Sequence, residues 1–229
     1  MKVRVKYQVT EAGRFLGHLD LTRTIMKTLR RANLPVMLTE GFNPHPRLSF
    51  AMPLSVGHTA LGEYFEITLT EKIPEQEIIE RFNQCSPQAI VAAEARAITE
   101  KQDSMSSQIT CAVYQITLPL SEKEKVRQAI SDILSAETIM IEKKTKRKIK
   151  ETDIRPLIYD LQIVDQPQEE SGILLQALIS HGSTDNLKIS DLLALFGQRF
   201  SDIQVQDGLI TREGLYVKEE DQIRSLIDF

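Results

Sequence analysis

The fold is decided near the start of the chain, where the first 38 residues read MKVRVKYQVTEAGRFLGHLDLTRTIMKTLRRANLPVML. Residues 3–7 alternate between apolar and basic side chains, which predicts a strand with two unlike faces. A helix is predicted from about His18 to Ala32, because apolar side chains recur there every three to four positions. Asn33 and Pro35 end this helix, since proline disfavours helical geometry in the residue before it. The chain therefore begins with a strand and an amphipathic helix.

The rest of the chain repeats this mixture of strands and helices in two similar halves. In the first half, strands are predicted at residues 36–38, 48–52, 65–69 and 89–97, with a helix at 74–85. In the second half, strands are predicted at 111–118, 138–143, 154–164, 173–179 and 209–217, with helices at 122–136 and 189–200. Both orders approximate βαββαβ. We therefore expect an α+β protein built from two tandem ferredoxin-like domains with antiparallel sheets.

A polar, serine-rich segment separates the two halves. Residues 99–109 contain four serine or threonine residues and few apolar ones, which is typical of a domain boundary. We expect an N-terminal domain at 1–103, which contains a Gly-Phe-Asn-Pro-His-Pro-Arg loop. The C-terminal domain is expected at 104–229 and contains a basic hairpin.

The net charge of −4 hides a strong asymmetry along the chain. Residues 1–50 contain nine Lys or Arg and three Asp or Glu, which gives a net charge of +6. Residues 143–155 contain seven basic and two acidic residues, a net charge of +5, so the rest of the chain carries −15. Because a local basic field attracts polyanions whatever the far side carries, the asymmetry favours an anionic partner.

Nothing in the sequence predicts a membrane or secreted protein. No run approaches the roughly 18 apolar residues that a membrane span needs. The N-terminus has no long apolar stretch and no small-residue cleavage site of the kind found in signal peptides. We therefore expect a cytoplasmic protein that does not bind membranes.

The cysteines exclude an iron–sulfur or structural zinc site held by this chain alone. Cys85 and Cys111 are the only two cysteines, and they stand 26 positions apart with no CxxC spacing. We expect both to be reduced thiols, and we expect neither a metal nor a cofactor.

The predicted helix at 18–32 has a basic face. Arg23, Lys27, Arg30 and Arg31 lie at positions that share one face at 3.6 residues per turn, and Asp20 is the one acid beside them. One interpretation is an anion-binding ridge. The other is an ordinary solvated helix face.

A stiff loop follows at residues 40–47. Gly41 permits backbone geometry that other residues avoid, while Pro44 and Pro46 fix their own φ angles and restrict the residues before them. A loop this stiff loses little entropy when its side chains bind a ligand. The side chains that it presents for hydrogen bonding or phosphate binding are Asn43, His45 and Arg47. The alternative is a simple connection between strands.

The second basic segment lies at 143–150, where six of eight residues are Lys or Arg. Between two predicted strands it would form a hairpin that grips a nucleic-acid backbone without reading bases. The alternative is a flexible, charged hairpin tip. The candidate side chains here are Lys144, Lys146, Arg147 and Lys148, with Arg155 close behind them.

Four blocks of this sequence, Arg14–Leu21, Leu29–Pro35, Glu40–Phe50 and residues 143–157, resemble the radical-SAM-linked protein family. That family is a bacterial domain of unknown function, and in some bacteria a similar domain follows a cobalamin-binding radical SAM protein. The resemblance covers essentially the whole chain. It implies an association with a radical SAM enzyme in RNA or cofactor modification. Since this chain lacks the three-cysteine cluster motif, the radical chemistry would reside on a partner.

We therefore expect a non-catalytic accessory module that binds structured RNA, or presents a substrate, for a radical SAM modification enzyme. The residues expected to contact RNA or another anion are Arg14, Arg23, Lys27, Arg30, Arg31, Asn43, His45, Arg47, Lys144, Lys146, Arg147, Lys148 and Arg155. Two alternatives stay open: an adaptor that docks on the radical SAM subunit without RNA, and a metal-independent RNA endonuclease that uses His18 and His45 as acid and base.

Overall fold

A computed structural model describes residues 1–100, 102–118, 122–144, 149–164, 172–200, 203, 210–220 and 222–228. The chain divides into two compact units, of which one is Met1–Ile109 together with Arg212–Phe229 and the other is Thr110–Thr211. The sequence-based boundary falls between residues 103 and 104. Residues 104–109 stay with the first unit because Met105 and Ile109 are buried. None of the described helices is long and apolar enough to cross a membrane.

The first unit combines a mostly antiparallel sheet with helices. Its elements in chain order are β1 (Lys2–Val9), α1 (His18–Arg31), β2 (Leu48–Phe50), β3 (Thr59–Thr68), α2 (Glu75–Cys85), β4 (Ile90–Ile98) and the short α3 (Met105–Gln108). Strand β1 pairs with β3 on one side and with β4 on the other, and β2 pairs with β3; all three pairings are antiparallel. The mixed α+β character expected from the sequence is therefore confirmed.

The core of this unit lies between α1, α2 and one face of the sheet. Every second residue of β1, beginning with Val3, packs in the same cluster as Leu21, Ile25 and Leu29 of α1. This is the apolar face of α1 that the periodicity predicts. Asn33 ends the helix at a positive φ of 48°, a conformation that asparagine tolerates better than most residues.

The C-terminal segment returns to the first unit. Strand β10 (Ile210–Glu219) lies next to β3, β11 (Gln222–Ser225) pairs with β10, and a 3-10 turn at Leu226–Asp228 contacts β1 and β4. Gly62 permits the close approach of β10, because a Cβ atom there would lie 2.8 Å from the carbonyl oxygen of Glu213.

This return covers Arg4, which lies on the face of β1 that the alternating pattern predicts to be polar. The Nε of Arg4 donates to Glu66 Oε1 at 3.1 Å, and its Nη2 donates to the same oxygen at 2.8 Å. Its Nη1 donates to the carbonyl oxygen of Leu226. Lys2 pairs with the other carboxylate oxygen of Glu66 at 2.5 Å. Arg4 is therefore on the predicted face of β1, but Glu66 and the C-terminal segment cover its side chain there.

In the second unit, three strands pair antiparallel to one another and two more form a separate antiparallel pair. Its elements are β5 (Cys111–Leu118), α4 (Lys123–Ser135), β6 (Met140–Lys144), β7 (Ile149–Asp153), a 3-10 turn at Arg155–Leu157, β8 (Ile158–Val164), β9 (Ile173–Ser180) and α5 (Ile189–Arg199). Strand β9 lies between β5 and β8, and β6 pairs with β7 as a separate hairpin. The strand predicted at 154–164 is thus shorter, because the 3-10 turn takes its first residues.

Candidate functional site

A groove runs along α1 in the first unit. Its volume is about 400 Å³. The residues that line it come from α1 and from the extended segment that follows the helix; they are Arg23, Met26, Lys27, Leu29, Arg30, Leu34, Val36, Leu38 and Pro46. The segment is held in place by bridges from Val36 to Leu69 and from Leu38 to Pro46. The groove therefore joins two features that the sequence analysis treats separately, the basic helix and the proline-rich loop.

Three cations form the rim of this groove. Arg23, Lys27 and Arg30 are exposed. Arg23 forms a surface ion pair with Asp20 at 3.3 Å, a type of contact that adds at most about 1 kcal/mol. Among the described residues, no acidic side chain lies within ion-pair distance of Lys27 or Arg30. The rim is therefore positively charged and largely uncompensated, which suits an anionic ligand.

The loop at 40–45 extends from the wall of the groove. Its ends are closed by two hydrogen bonds, one from the Thr39 amide to the His45 carbonyl at 2.7 Å and one from the His45 amide to Thr39 Oγ1 at 3.0 Å. Gly41 at the turn has a φ of 122° and open space around it. Phe42, beside it, is fully exposed to solvent. The loop thus has a fixed base and an aromatic side chain at its tip.

Not every cation predicted in this region reaches the groove. Arg31 is exposed but makes a 3.5 Å contact with Thr28 Oγ1 on its own helix. Arg14 pairs with Glu11 at 2.9 Å, and its guanidinium lies 4.7 Å from the ring centre of Phe15. Two of the side chains predicted as ligand contacts in the loop, Asn43 and Arg47, are exposed but do not line the groove.

The second basic segment belongs to the second unit. Its residues Lys146, Arg147 and Lys148 lie outside the described residues, and so does the side chain of Lys144, whose backbone is part of β6. Arg155 donates from Nη1 to the Ile158 carbonyl at 2.8 Å and from Nη2 to the Leu134 carbonyl at 2.7 Å. Arg155 therefore ties the 3-10 turn to the end of α4.

The two candidate catalytic histidines occupy different settings. His18 is the first residue of α1, and its ring packs edge-on against Phe50 at 5.4 Å. His45 lies in the loop and is exposed. In the part of the chain that is described, no three His, Cys, Asp or Glu side chains are placed to hold a metal ion. Neither Cys85 nor Cys111 is part of a disulfide, and Cys111 is buried.

The most strongly perturbed titratable groups lie in the core. Glu63 and Arg212 are both only 1% exposed, and two bonds of 2.6 Å join the guanidinium to the carboxylate. Burial raises the pKa of Glu63, and the charge of Arg212 opposes that rise. Burial, and then the charge of Glu63, raises the pKa of its cross-strand neighbour Tyr7 well above the usual value. Burial also raises the pKa of Tyr64. These side chains are buried in the unit and have no access to a ligand.

Sequence reasoning missed the apolar half of the groove. Met26, Leu38 and Phe42 were not singled out, although Leu38 is 52% exposed and Phe42 is more so. The sequence did contain a signal for Phe42. An aromatic residue between Gly41 and Asn43, in a stiff polar loop, is not expected to be buried in a core and is therefore a candidate ligand contact. Met26 had no such signal, because a methionine in an amphipathic helix is usually part of the core.

Comparison with known families supports a bacterial origin and leaves the activity open. No curated protein matches the chain. The model of one family matches residues 2–189, which include α1, the groove and most of the second unit. The chain belongs to that family, which is described as "Uncharacterized protein conserved in bacteria (DUF2344)".

Proposed function

We propose that this protein is a non-catalytic RNA-binding module that presents RNA to a radical SAM modification enzyme. The observation that carries the proposal is the groove of α1, with its exposed cations Arg23, Lys27 and Arg30. Cations of this kind neutralise phosphates and release bound counterions, which is the main source of affinity for nucleic acids.

The groove is a better candidate than the sheet of the first unit. Small RNA-binding domains with a four-stranded sheet stack bases on the open face of that sheet. In the first unit that face is partly covered on β1 and β3, since Tyr64 and Arg4 are buried and Leu226 lies against Arg4. The side of the helices, where α1 carries its exposed cations, is therefore the better candidate surface for a ligand of this unit.

We also infer that the first unit follows the βαββαβ plan of ferredoxin-like domains and that the second unit follows the same plan up to its second helix, α5. In the first unit, α1 links β1 to β2 and α2 links β3 to β4, with one strand between the linked strands in each case. This is the split βαβ arrangement. In the second unit α4 leads through the β6–β7 hairpin to β8, and β9 lies between β5 and β8. The hairpin would then be an insertion into the second domain.

The radical SAM partner is proposed from the sequence blocks that resemble the radical-SAM-linked family. Two of these blocks, Leu29–Pro35 and Glu40–Phe50, supply residues of the groove wall. Co-purification of the full chain with a radical SAM enzyme of the same bacterium tests this part. Loss of that association after nuclease treatment would indicate that RNA bridges the two proteins.

RNA binding is tested by measuring affinity for a labelled RNA hairpin between about 50 and 200 mM salt. We expect affinity to fall steeply as salt rises. The triple variant Arg23→Glu, Lys27→Glu, Arg30→Glu should reduce the slope of log affinity against log salt by about three, one for each lost cation. The matched control is Arg96→Glu, because Arg96 is exposed on β4 opposite Arg4, on the sheet face away from α1. Absence of binding at low salt, or equal behaviour of the two variants, contradicts the proposal.

A protein adaptor is the second candidate, and exposed apolar side chains favour it. Phe15 is 70% exposed and Leu19 is 69% exposed near the start of α1, where a partner protein would bury them. A complex with the radical SAM subunit that contains no RNA, and that Leu19→Asp disrupts, would support this candidate. The endonuclease stays a prediction; unchanged RNA cleavage in a His18→Ala, His45→Ala variant would remove it.

A further inference from the structure

The floor of the groove is apolar, so phosphate groups alone would not match the surface that the groove offers to a ligand. Beneath the three cations, the groove is lined by Met26, Leu29, Leu34, Val36, Leu38 and Pro46. A ligand that offered only phosphates would leave this surface in contact with water and gain nothing from it. At about 400 Å³ the groove also has the size of pockets that take small organic groups. The ligand must therefore combine an apolar surface with negative charge.

An unpaired nucleotide has this combination, and a double helix does not. In duplex RNA the faces of the bases are stacked inside, and a protein meets phosphates, 2′-hydroxyls and base edges. In a loop or a single strand, a base turns its flat apolar face outward while its phosphates stay close by. Such a base would cover Leu38 and Met26, and its phosphates would lie near Lys27 and Arg30.

Phe42 supplies a second contact of the same kind. It is fully exposed at the tip of the loop whose base, at Leu38 and Pro46, forms a wall of the groove. A fully exposed phenylalanine gains nothing for folding, whereas aromatic side chains that bind single strands stack on successive bases. The closed base of the loop and its two prolines limit the entropy that Phe42 would lose on binding.

We propose that the groove of α1 binds one unpaired nucleotide of an RNA, with the base on the apolar floor, its phosphates on Arg23, Lys27 and Arg30, and Phe42 stacked on a neighbouring base. This inference rests on the proposed function and deepens it, because it names the class of RNA. The favoured ligand is a loop or a single strand, and a continuous double helix is bound only through its phosphates.

The test compares three RNAs of related sequence, a single strand, a hairpin with an unpaired loop, and a perfect duplex. The full chain should bind the first two more tightly than the third. Phe42→Ala should lower affinity for the unpaired RNAs by about 5- to 150-fold, the range measured for loss of one base–aromatic contact. The salt slope should stay unchanged, because no charge is removed. Leu38→Ser should act in the same direction.

The matched control is Val56→Ser, which also removes an exposed apolar side chain from a loop of the first unit but does not line the groove. All three variants should keep the circular dichroism spectrum and unfolding midpoint of the parent, since these side chains are more than half exposed.

Three results would overturn the inference, and they are distinguishable. The first result is equal affinity for duplex and single strand, with no change of affinity in Phe42→Ala or Leu38→Ser. It contradicts binding of an unpaired nucleotide. RNA binding itself would still be supported if the salt dependence of affinity becomes weaker in the charge-reversal variant. No binding of any RNA at low salt removes both proposals. Binding of an acidic amphipathic peptide in place of RNA, weakened by Leu38→Ser, would assign the groove to a partner protein.

Discussion

The first unit uses its cations in two opposite ways. Arg4 and Arg212 are buried, and each donates hydrogen bonds to a carboxylate and to at least one backbone carbonyl. Arg23, Lys27 and Arg30 are exposed, and of these only Arg23 has an acidic neighbour among the described residues. The two groups look alike in the sequence, because all five residues are basic. We nevertheless expect substitution of the buried arginines to change the stability of the protein, and substitution of the exposed cations to change ligand binding. Net charge along the chain therefore overstates the charge that a ligand meets.

Removing a buried cation should give the largest effect. Arg212→Met leaves the carboxylate of Glu63 buried without its partner, and loss of one member of a buried pair costs about 3–5 kcal/mol. Urea unfolding followed by circular dichroism measures this loss. The double variant Glu63→Leu, Arg212→Met should recover much of it, because replacing both charges with apolar groups is often neutral. A loss below about 1 kcal/mol in the single variant would show that the pair is not buried as described.

The tyrosines beside these buried charges should make the stability of the protein depend on pH in the alkaline range. We expect this effect to be smaller than that of Arg212→Met. Burial raises the pKa of Tyr7 and of Tyr64, so both phenols stay protonated in the folded protein when exposed tyrosines have ionised. A group whose pKa is higher in the folded state contributes stability that is complete below its unfolded pKa, near 10, and is lost as pH rises through the folded value. Each unit of difference corresponds to about 1.4 kcal/mol.

Titration followed by tyrosinate absorbance checks this prediction. Of the five tyrosines, at least Tyr7 and Tyr64 should ionise only as the protein unfolds above about pH 10. Tyr64→Phe should remove one of the two late groups, while Tyr159→Phe, at an exposed position, should leave both. Simultaneous ionisation of all five in the folded protein would contradict the burial of Tyr7 and Tyr64.

The exposed cations should give the smallest effect on stability. The triple variant Arg23→Glu, Lys27→Glu, Arg30→Glu should lower the free energy of unfolding by at most about 1 kcal/mol. Most of that loss should come from Arg30, because a positive charge in the last turn interacts favourably with the helix dipole. The same urea experiment serves for comparison with Arg212→Met. If the triple variant lost as much unfolding free energy as Arg212→Met, the exposed cations would also be important for stability, and the comparison between the two groups would be wrong.

The elements of the fold were largely within reach of the sequence, because they depend on local pattern. The predicted helix at 18–32 corresponds to α1 at His18–Arg31, and the predicted strand at 111–118 is β5. The burial of Arg4 was not predictable in this way. Its partners Glu66 and Leu226 lie 62 and 222 positions away, and no local pattern announces such a contact. The same holds for Arg212 and Glu63, which are 149 positions apart.

The candidate site was predicted in part for a related reason. Helical periodicity places Arg23, Lys27 and Arg30 on one face, and the structure agrees. Periodicity does not say which segment lies beside that face, so the groove and its apolar floor could not be derived. Arg31 shares the predicted face but contacts Thr28 and does not line the groove, because 3.6 residues per turn puts it at the edge of the stripe.

The return of the C-terminal segment has a consequence for how the protein is made. Domains generally fold in order as they leave the ribosome, at about 5–20 residues per second. Arg4 donates to a carbonyl 222 positions later in the chain. At this rate, synthesis of the intervening residues takes on the order of 10–45 s, and the hydrogen bond cannot form before then. During this time the face of β1 that carries Arg4 lacks its cover. The nascent first unit therefore exposes the part of its sheet around Arg4 to chaperones until the C-terminal segment covers it.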